Sequence, residues 1–476
     1  MSPLLPQSTD QAALQANPLY ESRKKIHPKP VKGFYRSLKN SFMWIMMVVY
    51  HLTPWLPWDR GVGRPDQAIL IDISGGRVYL FNLEIWPQDI YILTGLMILA
   101  AVGLFLSASL IGRAWCGFMC FQTVWTDLFM KVESWVEGDR NARIRLDAQP
   151  MGLSKFFKRV AKHSIWLLIA AFVALSFLWY FDDAAQVTKD FLHGDLSGWT
   201  LAVFGTILAM TYLMAGFARE QVCTYMCPYG RFQGVMFDQH SKVITYQDWR
   251  GEPRGKAAHN TDFSNRGACI DCSLCVQVCP TGVDIREGQQ MDCIGCGLCI
   301  DACDNVMEKL NLPKKLICYD SAHAIQERSK GREVRSPLLR IRVFFYMAVL
   351  LATFAAMVVS VNMRPETTVS VYRDRAPFYV TLTTGEVQNA YTVRIINKSK
   401  MEKTYRLVPT GAADFDSKII GYPEGNILVE SGKVASLRVI VKAHISQTQQ
   451  PLTFNVQSLE GKTITSIDTV FIGPDQ

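Results

Sequence analysis

The chain has 476 residues, which is enough for more than one domain. Its apolar content of 49% is high for a soluble protein. The net charge of +8 comes without a basic stripe that carries interleaved aromatic residues, so the composition argues against nucleic acid as a partner.

Long uncharged segments dominate the chain. Five of them contain no Asp, Glu, Lys or Arg: 40–58, 90–112, 163–181, 196–218 and 343–363. Each has 19 to 23 residues, enough for a helix to cross a hydrocarbon core of about 30 Å. Buried helices of a soluble protein rarely give five such segments, so we expect five transmembrane helices. The first is the weakest, because Pro54 and Pro57 end its helix early.

The segments between the predicted helices differ in charge. Three are basic: 22–39 with seven Lys and Arg and no acid, 113–162 with nine against five, and 328–342 with six against one. Two are acidic: 59–89 with three Arg against five acids, and 182–195 with one Lys against four. The positive-inside rule puts the basic segments in the cytoplasm and, after five crossings, the C-terminal region outside. The N-terminal sequence MSPLLPQSTDQAALQ has no basic region before an apolar core, so we expect no cleavable signal peptide.

Two matched cysteine motifs follow the second and the fourth apolar segment. "RAWCGFMCFQTVW" contains Cys116 and Cys120, and "REQVCTYMCPYGRF" contains Cys223 and Cys227. Both read Arg, a short gap, then C-x-x-Met-Cys, and both lie where an even-numbered helix re-enters the cytoplasm. We interpret them as an internal repeat of a two-helix unit.

The repeat predicts a metal site. If each cysteine pair continues its helix, positions i and i+4 share a face, and the two faces offer four thiolates to one soft ion. Sulfur ligands select Cu(I), with Met119 and Met226 as weaker thioether candidates. Arg113 and Arg219 beside the pairs would lower the pKa values of the thiols. The alternative is a set of inert cysteines buried in helix packing.

Eight more cysteines lie in "CIDCSLCVQVCPTGVDIREGQQMDCIGCGLCIDACD", residues 269–304. The spacing C-x2-C-x2-C-x3-C occurs twice, which is typical of a bacterial two-cluster ferredoxin. The fourth cysteine of each run ligates the other run's cluster, so two 4Fe–4S clusters are expected. One would be held by Cys269, Cys272, Cys275 and Cys303, and the other by Cys293, Cys296, Cys299 and Cys279.

Other interpretations of these cysteines are weaker. Two zinc knuckles would not predict the third cysteine of each run or the Cys-Pro in register, and disulfides do not suit a cytoplasmic segment. Asp304 stands where the second run would carry its proline. We expect the unpaired Cys318 to be an ordinary buried thiol and His51 to be structural rather than a haem ligand.

The C-terminal region has a different pattern. "AYTVRIINKS", "ASLRVIVKAH" and "PLTFNVQS" alternate apolar and polar residues and are separated by turn residues, which predicts a β-sandwich of roughly a hundred residues. This region contains no cysteine and a single histidine, His444. It either docks or stabilises a partner or is a folded cap, and both interpretations stay open.

These observations predict a polytopic α-helical membrane protein with an inserted two-cluster ferredoxin domain and a C-terminal Ig-like β-sandwich. The predicted segments are a cytoplasmic tail at 1–39, a membrane domain with four helices at 40–218, the iron–sulfur domain at 219–342, a fifth helix at 343–363 and the sandwich at 364–476.

The chain resembles the CcoG/RdxA/FixG family over residues 30–476. The resemblance rests on "IWPQDIY", "WCGFMCFQTVWTDLF", "REQVCTYMCPYGRFQGVMFD", "RGEPRG", "CIGCGLCIDACDNVM" and the C-terminal sandwich. It implies a location in the bacterial inner membrane, with the sandwich in the periplasm, and a role in assembling a cbb-type haem–copper oxidase. The implied activity is reduction of Cu(II) to Cu(I), with copper as substrate or transient ligand. Phe121 departs from the family motif, which usually has a proline there, whereas the second pair keeps Pro228.

Three functions remain open at this point. The first is an iron–sulfur copper reductase in which the four cysteines of the two pairs are the reacting site. The second is a quinol dehydrogenase like the related NapH-type membrane ferredoxins, which would pass electrons to a periplasmic acceptor. The third is a copper-handling scaffold with structural clusters. The expected partners are copper ions, oxidase assembly factors or copper chaperones and transporters, and a cytoplasmic electron donor that the sequence does not name. The oligomeric state is open, a homodimer included.

Overall fold

A computed structural model describes residues 25–61, 63–256, 262–263, 265–332, 334, 337, 340–399, 401–422, 425–445 and 447–474. The described chain forms two compact units. The first contains the residues up to Trp55 together with Ile71–Ile73 and Leu93–Thr353, and the second contains Leu56–Leu70, Ser74–Ile92 and the residues from Phe354 onward.

Four helices of the described chain are long and apolar enough to cross a bilayer: Pro87–Ile111, Leu153–Leu178, Gly198–Ala218 and Ile341–Asn362. They coincide with the second to fifth predicted segments. Most of their surface is exposed within the protein, as expected for helices that face lipid. The chain is therefore an integral membrane protein.

The first predicted segment forms the helix Phe34–Leu52, which begins and ends six residues earlier than predicted. Pro54 lies in the short 3-10 turn Thr53–Trp55 directly after it, because proline cannot continue the hydrogen-bonding pattern of a helix. This helix carries Arg36 and Lys39 and is not among the four apolar spans. A fifth crossing therefore stays a prediction.

Shorter helices surround these spans in the first unit. They are Ala114–Phe118, Phe121–Glu137, Arg140–Ala148, Ala184–His193 and Pro228–Met236. Two π-helical turns, Met214–Ala218 and Val222–Met226, flank a break at Arg219. Phe129, Trp166 and Ala170 lie in the core that packs Phe121–Glu137 against the long helix Leu153–Leu178.

The ferredoxin region is built from short elements. They are the strands Val243–Tyr246 and Ile317–Asp320, which pair antiparallel, and the helices or turns Asp248–Gly251, Leu274–Gln277, Ile285–Glu287, Leu298–Lys309 and Ala322–Ser329. Their core combines apolar side chains with the cysteines, so cluster ligands and hydrophobic packing occupy the same space.

The second unit contains the predicted β-sandwich. One sheet joins Asp416–Ile419, Val434–Ala443, Val387–Asn397 and Thr367–Arg373, with Val380–Thr381 at its side, and the other joins Asn426–Val429, Lys403–Gly411, Gln449–Ser458 and Thr463–Ile472. The strand pairs described in these sheets are antiparallel. Alternate residues such as Tyr391, Val393 and Phe454 are fully buried between the sheets, as the period of two predicts.

The residues Leu56–Leu70 and Ser74–Ile92, before and at the start of the span Pro87–Ile111, belong to the same unit. This part of the chain forms a small sheet of Ile69–Asp72, Arg77–Leu80 and Leu83–Ile85. Asp89 is buried and accepts hydrogen bonds from the ammonium group of Lys398, at 2.9 Å, and from the guanidinium group of Arg364, at 3.3 Å. A buried carboxylate needs such partners, because leaving it unpaired away from water is costly. The sequence did not predict this association.

Candidate metal centres

The first predicted set of cluster ligands lines one small cavity. Cys269, Cys272, Cys275 and Cys303 surround it together with apolar side chains such as Leu274 and Ile317. Burial, together with the negative charges of Cys275, Asp304, Cys269 and Cys272, raises the pKa of Cys303 to about 12, so the four sulfurs are neighbours. Four soft sulfur donors around an apolar cavity fit a 4Fe–4S cluster.

The second predicted set is also gathered in one place. Burial raises the pKa of Cys299 well above its ordinary value, and charges on Cys296, Cys293 and Cys279 raise it further. Cys275 of the first set contributes as well, so the two sets are adjacent. Cys299 and Cys303 lie one turn apart on the helix Leu298–Lys309, which directs them to different sets.

The two cluster loops have a similar backbone conformation but different side chains. In the first loop, Asp271 and Ser273 have positive φ on either side of Cys272. In the second, Gly295 and Gly297 occupy the corresponding places around Cys296, also with positive φ. Cys272 is exposed whereas Cys296 is buried. The second loop is therefore covered by other parts of the first unit, and glycine permits this close packing.

The two C-x-x-Met-Cys motifs adopt a similar local structure. Cys116 lies in the short helix Ala114–Phe118, and Cys223 lies in the π-helical turn Val222–Met226. The second cysteine of each motif, Cys120 or Cys227, is extended and precedes a new helix. The prediction that each pair continues one helix at positions i and i+4 is therefore wrong.

The departure at Phe121 does not change this break. The new helix begins at Phe121 in the first motif and at Pro228 in the second. Proline is favoured at the first position of a helix because the N–H it lacks has no partner there, but other residues also fit. The local repeat is thus kept without the first proline.

The two pairs nevertheless meet. The pKa of Cys116 is raised by burial to about 12, and the charges of Cys120, Cys223 and Cys227 act on it, so all four cysteines are close. We call these four residues the sulfur quartet. Within the described residues, no three His, Cys, Asp or Glu side chains are placed to hold one metal ion. The quartet is therefore a neighbourhood of thiols rather than a preformed four-coordinate cage, and a bound ion would require its cysteine side chains to rotate.

The quartet lies against the second cluster set. Cys116 and Cys223 pack on the apolar cluster that contains the buried Cys296, and Cys299 packs on the same cluster. At Gly117, an added Cβ would lie 2.8 Å from the carbonyl oxygen of Gly295 and 2.9 Å from the Cα of Cys296. The first cysteine motif and the second cluster loop are thus in direct backbone contact.

The two arginines of the motifs have different partners. Arg113 is buried and donates hydrogen bonds to the carbonyl oxygens of Met291 and Gly230. Its charge lowers the pKa of Cys116, but burial outweighs this effect. Arg219 instead pairs with Glu133 at 3.0 Å, so the prediction that it activates the second pair is not supported by its contacts.

Two polar residues beside the quartet were missed by the sequence analysis. Gln233 is fully buried, and its amide oxygen accepts a hydrogen bond from the Cys116 thiol at 3.1 Å. The buried hydroxyl of Tyr229 makes no hydrogen bond of standard geometry. Burial, which the nearby Gln233 opposes and the charges of Cys116 and Cys227 reinforce, raises the pKa of Tyr229 to about 12. Both residues lie at i and i+4 on the helix Pro228–Met236, and this spacing after the second motif was the available signal.

The remaining candidates lie elsewhere. Met119 lines a mostly apolar cavity beside Trp115, and Met226 is 57% exposed, which does not suit a ligand of a buried site. Cys318 is half-buried, and its sulfur accepts a hydrogen bond from Gln247 at 3.5 Å. The His51 ring stacks on Phe172 and pairs with a serine hydroxyl, consistent with a structural role.

These features define an integral membrane iron–sulfur protein with ferredoxin-type cluster loops. Residues 218–322 match the family model of a 4Fe-4S dicluster domain, and residues 93–142 match that of a 4Fe-4S binding domain. Residues 357–474 match the model described as the IG-like fold at the C-terminal of FixG. The iron–sulfur clusters and the Ig-like domain predicted from the sequence are therefore confirmed.

Two curated relatives match nearly the whole chain. Protein RdxB of Cereibacter sphaeroides is 42% identical over 433 residues, which cover 90% of this chain and 91% of RdxB. Nitrogen fixation protein FixG of Rhizobium meliloti is 41% identical over 466 residues, covering 91% and 89%. A crystal structure of a FixG-related protein from Vibrio parahaemolyticus covers 22% of this chain and 95% of that one, at 26% identity and a TM-score of 0.20. The chain belongs to the FixG/RdxA family.

Proposed function

We propose that this protein passes electrons through its two clusters to the sulfur quartet and there reduces Cu(II) to Cu(I), for copper delivery during assembly of a cbb-type haem–copper oxidase. The observation that carries the proposal is the contact between the quartet and the second cluster set. Cys116 and Cys223 pack against the apolar side chains around Cys296, so an iron–sulfur cluster held by the second set would lie beside an ion held by the quartet.

The exposure of the cluster loops gives the path a direction. When bound, 4Fe–4S clusters supply one-electron transfer. Cys272 is exposed, so the first set faces an external electron donor, whereas Cys296 is buried beside Gly117. The chain's residues therefore order the path as donor, first set, second set and quartet. One electron converts Cu(II) to Cu(I), and no bond has to break.

The chemistry of the quartet favours the reduced ion. Cu(II) prefers nitrogen and oxygen ligands in tetragonal sites, whereas thiolates suit Cu(I). The quartet offers sulfur atoms in a half-buried setting, and Gln233 and Tyr229 supply polar groups beside them. A copper ion that enters this site as Cu(II) is therefore held more tightly once it has gained an electron.

A double variant tests this function. Purified full-length protein with Cys223→Ser and Cys227→Ser is expected to lose Cu(I) binding and Cu(II) reduction while its cluster absorbance stays intact. Cys318→Ser is the matched control, because this cysteine belongs to neither cluster set nor the quartet, and it should keep all three properties. Full copper binding and reduction in the double variant would show that the quartet only packs.

A second candidate is favoured by one observation. The region of the first cysteine pair matches the model of a 4Fe-4S binding domain, which favours a third cluster at the quartet in place of copper. Iron analysis separates the two, because two clusters give about eight iron atoms per chain and three give about twelve. An iron content near twelve that falls to about eight in the double variant would replace the copper proposal with the third-cluster one.

A further inference from the structure

A cavity of about 280 Å³ lies apart from the cysteines, where the polar ends of two membrane helices meet. Lys162 contributes from the last charged turn of the helix Leu153–Leu178, and Arg219 directly follows the span Gly198–Ala218. Both positions mark the change from an apolar to a charged sequence. The cavity therefore lies at the level where lipid headgroups meet the protein.

The charges around this cavity are unequal. Four cations line it, Lys25, Arg159, Lys162 and Arg219, against a single described carboxylate, Glu133. Glu133 is fully buried and pairs with Arg219 at 3.0 Å and with Lys162 at 3.8 Å.

The wider ion-pair network around the cavity also has a net positive charge. Arg143 also pairs with Glu133, at 3.4 Å, and Arg159 and Lys162 pair with Glu137, at 3.2 and 2.8 Å. Asp147 pairs with Lys25 at 2.7 Å and accepts a second hydrogen bond from Arg159. Within the described residues of this network, five Lys and Arg therefore face three carboxylates, which leaves an excess of two positive charges.

Three of the five cations in this network are buried, where an uncompensated positive charge costs free energy. Lys162 and Arg143 are almost fully buried, and Arg219 is buried as well. Charge removed from water without compensation is expensive, so a bound anion would stabilise this network. An ammonium carries three N–H donors and a guanidinium five, which leaves these groups donors for a ligand beyond their ion pairs.

The walls of the cavity indicate which anion fits. Trp166 is buried under Lys162, whose ammonium lies 4.8 Å from the ring centroid, and Phe217 is 45% exposed. The site therefore combines cations for a compact anion with an apolar surface for what is attached to it. Lys and Arg bind phosphate oxygens strongly, and basic pockets between membrane helices bind lipid headgroups.

We propose that this cavity binds a phosphate group, supplied by an anionic phospholipid or by inorganic phosphate. The phosphate is held by Lys25, Arg159, Lys162 and Arg219, and an acyl chain of the lipid lies along Phe217. The bound phosphate offsets the positive excess and ties the two helix ends together.

The test uses full-length protein in nanodiscs and in detergent. Thermal unfolding is measured in phosphatidylcholine discs, in discs with added phosphatidylglycerol, and in detergent with inorganic phosphate. Stabilisation by phosphatidylglycerol alone identifies the lipid as the source, and an equal stabilisation by inorganic phosphate identifies the free ion. No difference among the three conditions overturns the proposal.

Paired variants separate the cavity from general membrane attraction. The double variant Lys25→Gln, Arg159→Gln removes two partly exposed cations of the cavity and is expected to need roughly tenfold more phosphatidylglycerol for the same stabilisation. The control Lys32→Gln, Lys158→Gln removes two charges from the same segments outside the cavity and should behave like the parent. An equal loss in both overturns the proposal.

Native mass spectrometry of the parent protein tests the same cavity without any substitution. One phosphatidylglycerol or one phosphate is expected to stay bound to each chain after release from the membrane. A parent protein that retains neither overturns the proposal, even if the first double variant does not fold.

Discussion

At the scale of single residues, the two cluster loops show how packing selects side chains. Asp271 and Ser273 take the left-handed backbone around the exposed Cys272, whereas glycines take it around the buried Cys296. An added Cβ at Gly297 would lie 2.5 Å from the ring of Tyr35. The glycines of the second loop are therefore needed for the close approach of neighbouring residues as well as for the backbone conformation.

Gly117 tests the contact between the first motif and this loop. Gly117→Ala places a methyl group 2.8 Å from a backbone carbonyl oxygen, and backbone cannot move aside cheaply. We expect a loss of about 1–3 kcal/mol in the free energy of unfolding and slower reduction of copper. Gly103→Ala on the membrane helix Ile90–Ile111 is the control, because nothing lies within 4 Å of its added Cβ. Equal melting temperatures for the two variants, followed by cluster absorbance on heating, would contradict the contact.

Tyr229 tests the polar surroundings of the quartet. Its buried hydroxyl makes no hydrogen bond of standard geometry, and the charges of Cys116 and Cys227 act on it, so we expect it to donate a hydrogen bond to a sulfur that has become a thiolate. Hydrogen bonds to sulfur ligands tune the potential of a metal site, and a donor favours the more electron-rich, reduced state. Tyr229→Phe should therefore lower the Cu(II)/Cu(I) potential of quartet-bound copper by up to about 60 mV, a tenfold change for one electron. Tyr225→Phe, which alters an exposed tyrosine of the same motif, should leave the potential unchanged, and equal potentials in all three proteins would contradict the assignment.

At the scale of elements, both cysteine motifs end one helix and begin another. Helical spacing from Cys116 to Cys120 and from Cys223 to Cys227 predicted continuous helices, but the second cysteine of each pair is extended. The break allows the helix after the second motif to pack beside Cys116, where Gln233 of that helix accepts a hydrogen bond from the Cys116 thiol. This contact, and not a continuous helix, brings the two cysteine pairs together. Periodicity alone does not reveal such a break when only one of the two motifs carries a proline.

The helix Phe34–Leu52 is held at its first turn by the ferredoxin region. The Asp301 carboxylate accepts hydrogen bonds from the backbone N–H groups of Tyr35, at 3.1 Å, and Arg36, at 2.7 Å. These N–H groups have no partner within their own helix, so Asp301 acts as a cap supplied from a distant part of the chain.

Removing this cap should loosen the contact. Asp301→Ala is expected to lower the free energy of unfolding by about 1–2 kcal/mol, since it leaves helix N–H groups unpaired. Glu308→Ala changes an exposed acid on the same helix, Leu298–Lys309, and should cost less than about 0.5 kcal/mol. Thermal unfolding of the two purified variants gives the comparison, and an equal decrease would argue against the cap.

At the scale of the whole molecule, the helix Phe34–Leu52 decides the number of crossings. Its first turn binds Asp301 in the first unit, and the segment Leu56–Leu70 after it belongs to the second unit. Loop charges predict the ferredoxin region inside and the segment 59–89 outside. Nineteen helical residues span about 28 Å, close to the roughly 30 Å of a hydrocarbon core.

We therefore expect five crossings and a periplasmic C-terminal domain. A reporter that is active only in the periplasm, fused after residue 476, should be active, and a cytoplasmic reporter at the same place should be silent. The same pair of reporters placed within 113–162 should give the opposite pattern and serves as the control. A cytoplasmic signal from the C-terminal fusion would contradict the periplasmic C-terminal domain. A periplasmic signal from the same reporter fused to the N-terminal end would mean that Phe34–Leu52 does not cross the membrane.

The sequence by itself determined the parts of this protein. The segments without charged residues located the four long spans to within a few residues. The exception is Leu153–Leu178, which begins ten residues earlier than predicted, in the basic loop before it. Cysteine spacing identified the ferredoxin region, and the period of two identified the sandwich strands. These features depend on local order along the chain, where lipid, iron or a sheet face imposes the same constraint at a regular interval.

Only the tertiary structure decided how the parts meet. It placed the quartet against the second cluster loop through Gly117 and paired Arg219 with Glu133 instead of a thiol. It also joined the segment Ser74–Ile92 to the sandwich through Asp89 and Lys398. Each of these contacts joins residues distant in sequence, and the partner of a buried charge or a glycine depends on which surfaces meet in space. Spacing within one segment carries no information about that, so the electron path and the basic cavity became visible only in the folded chain.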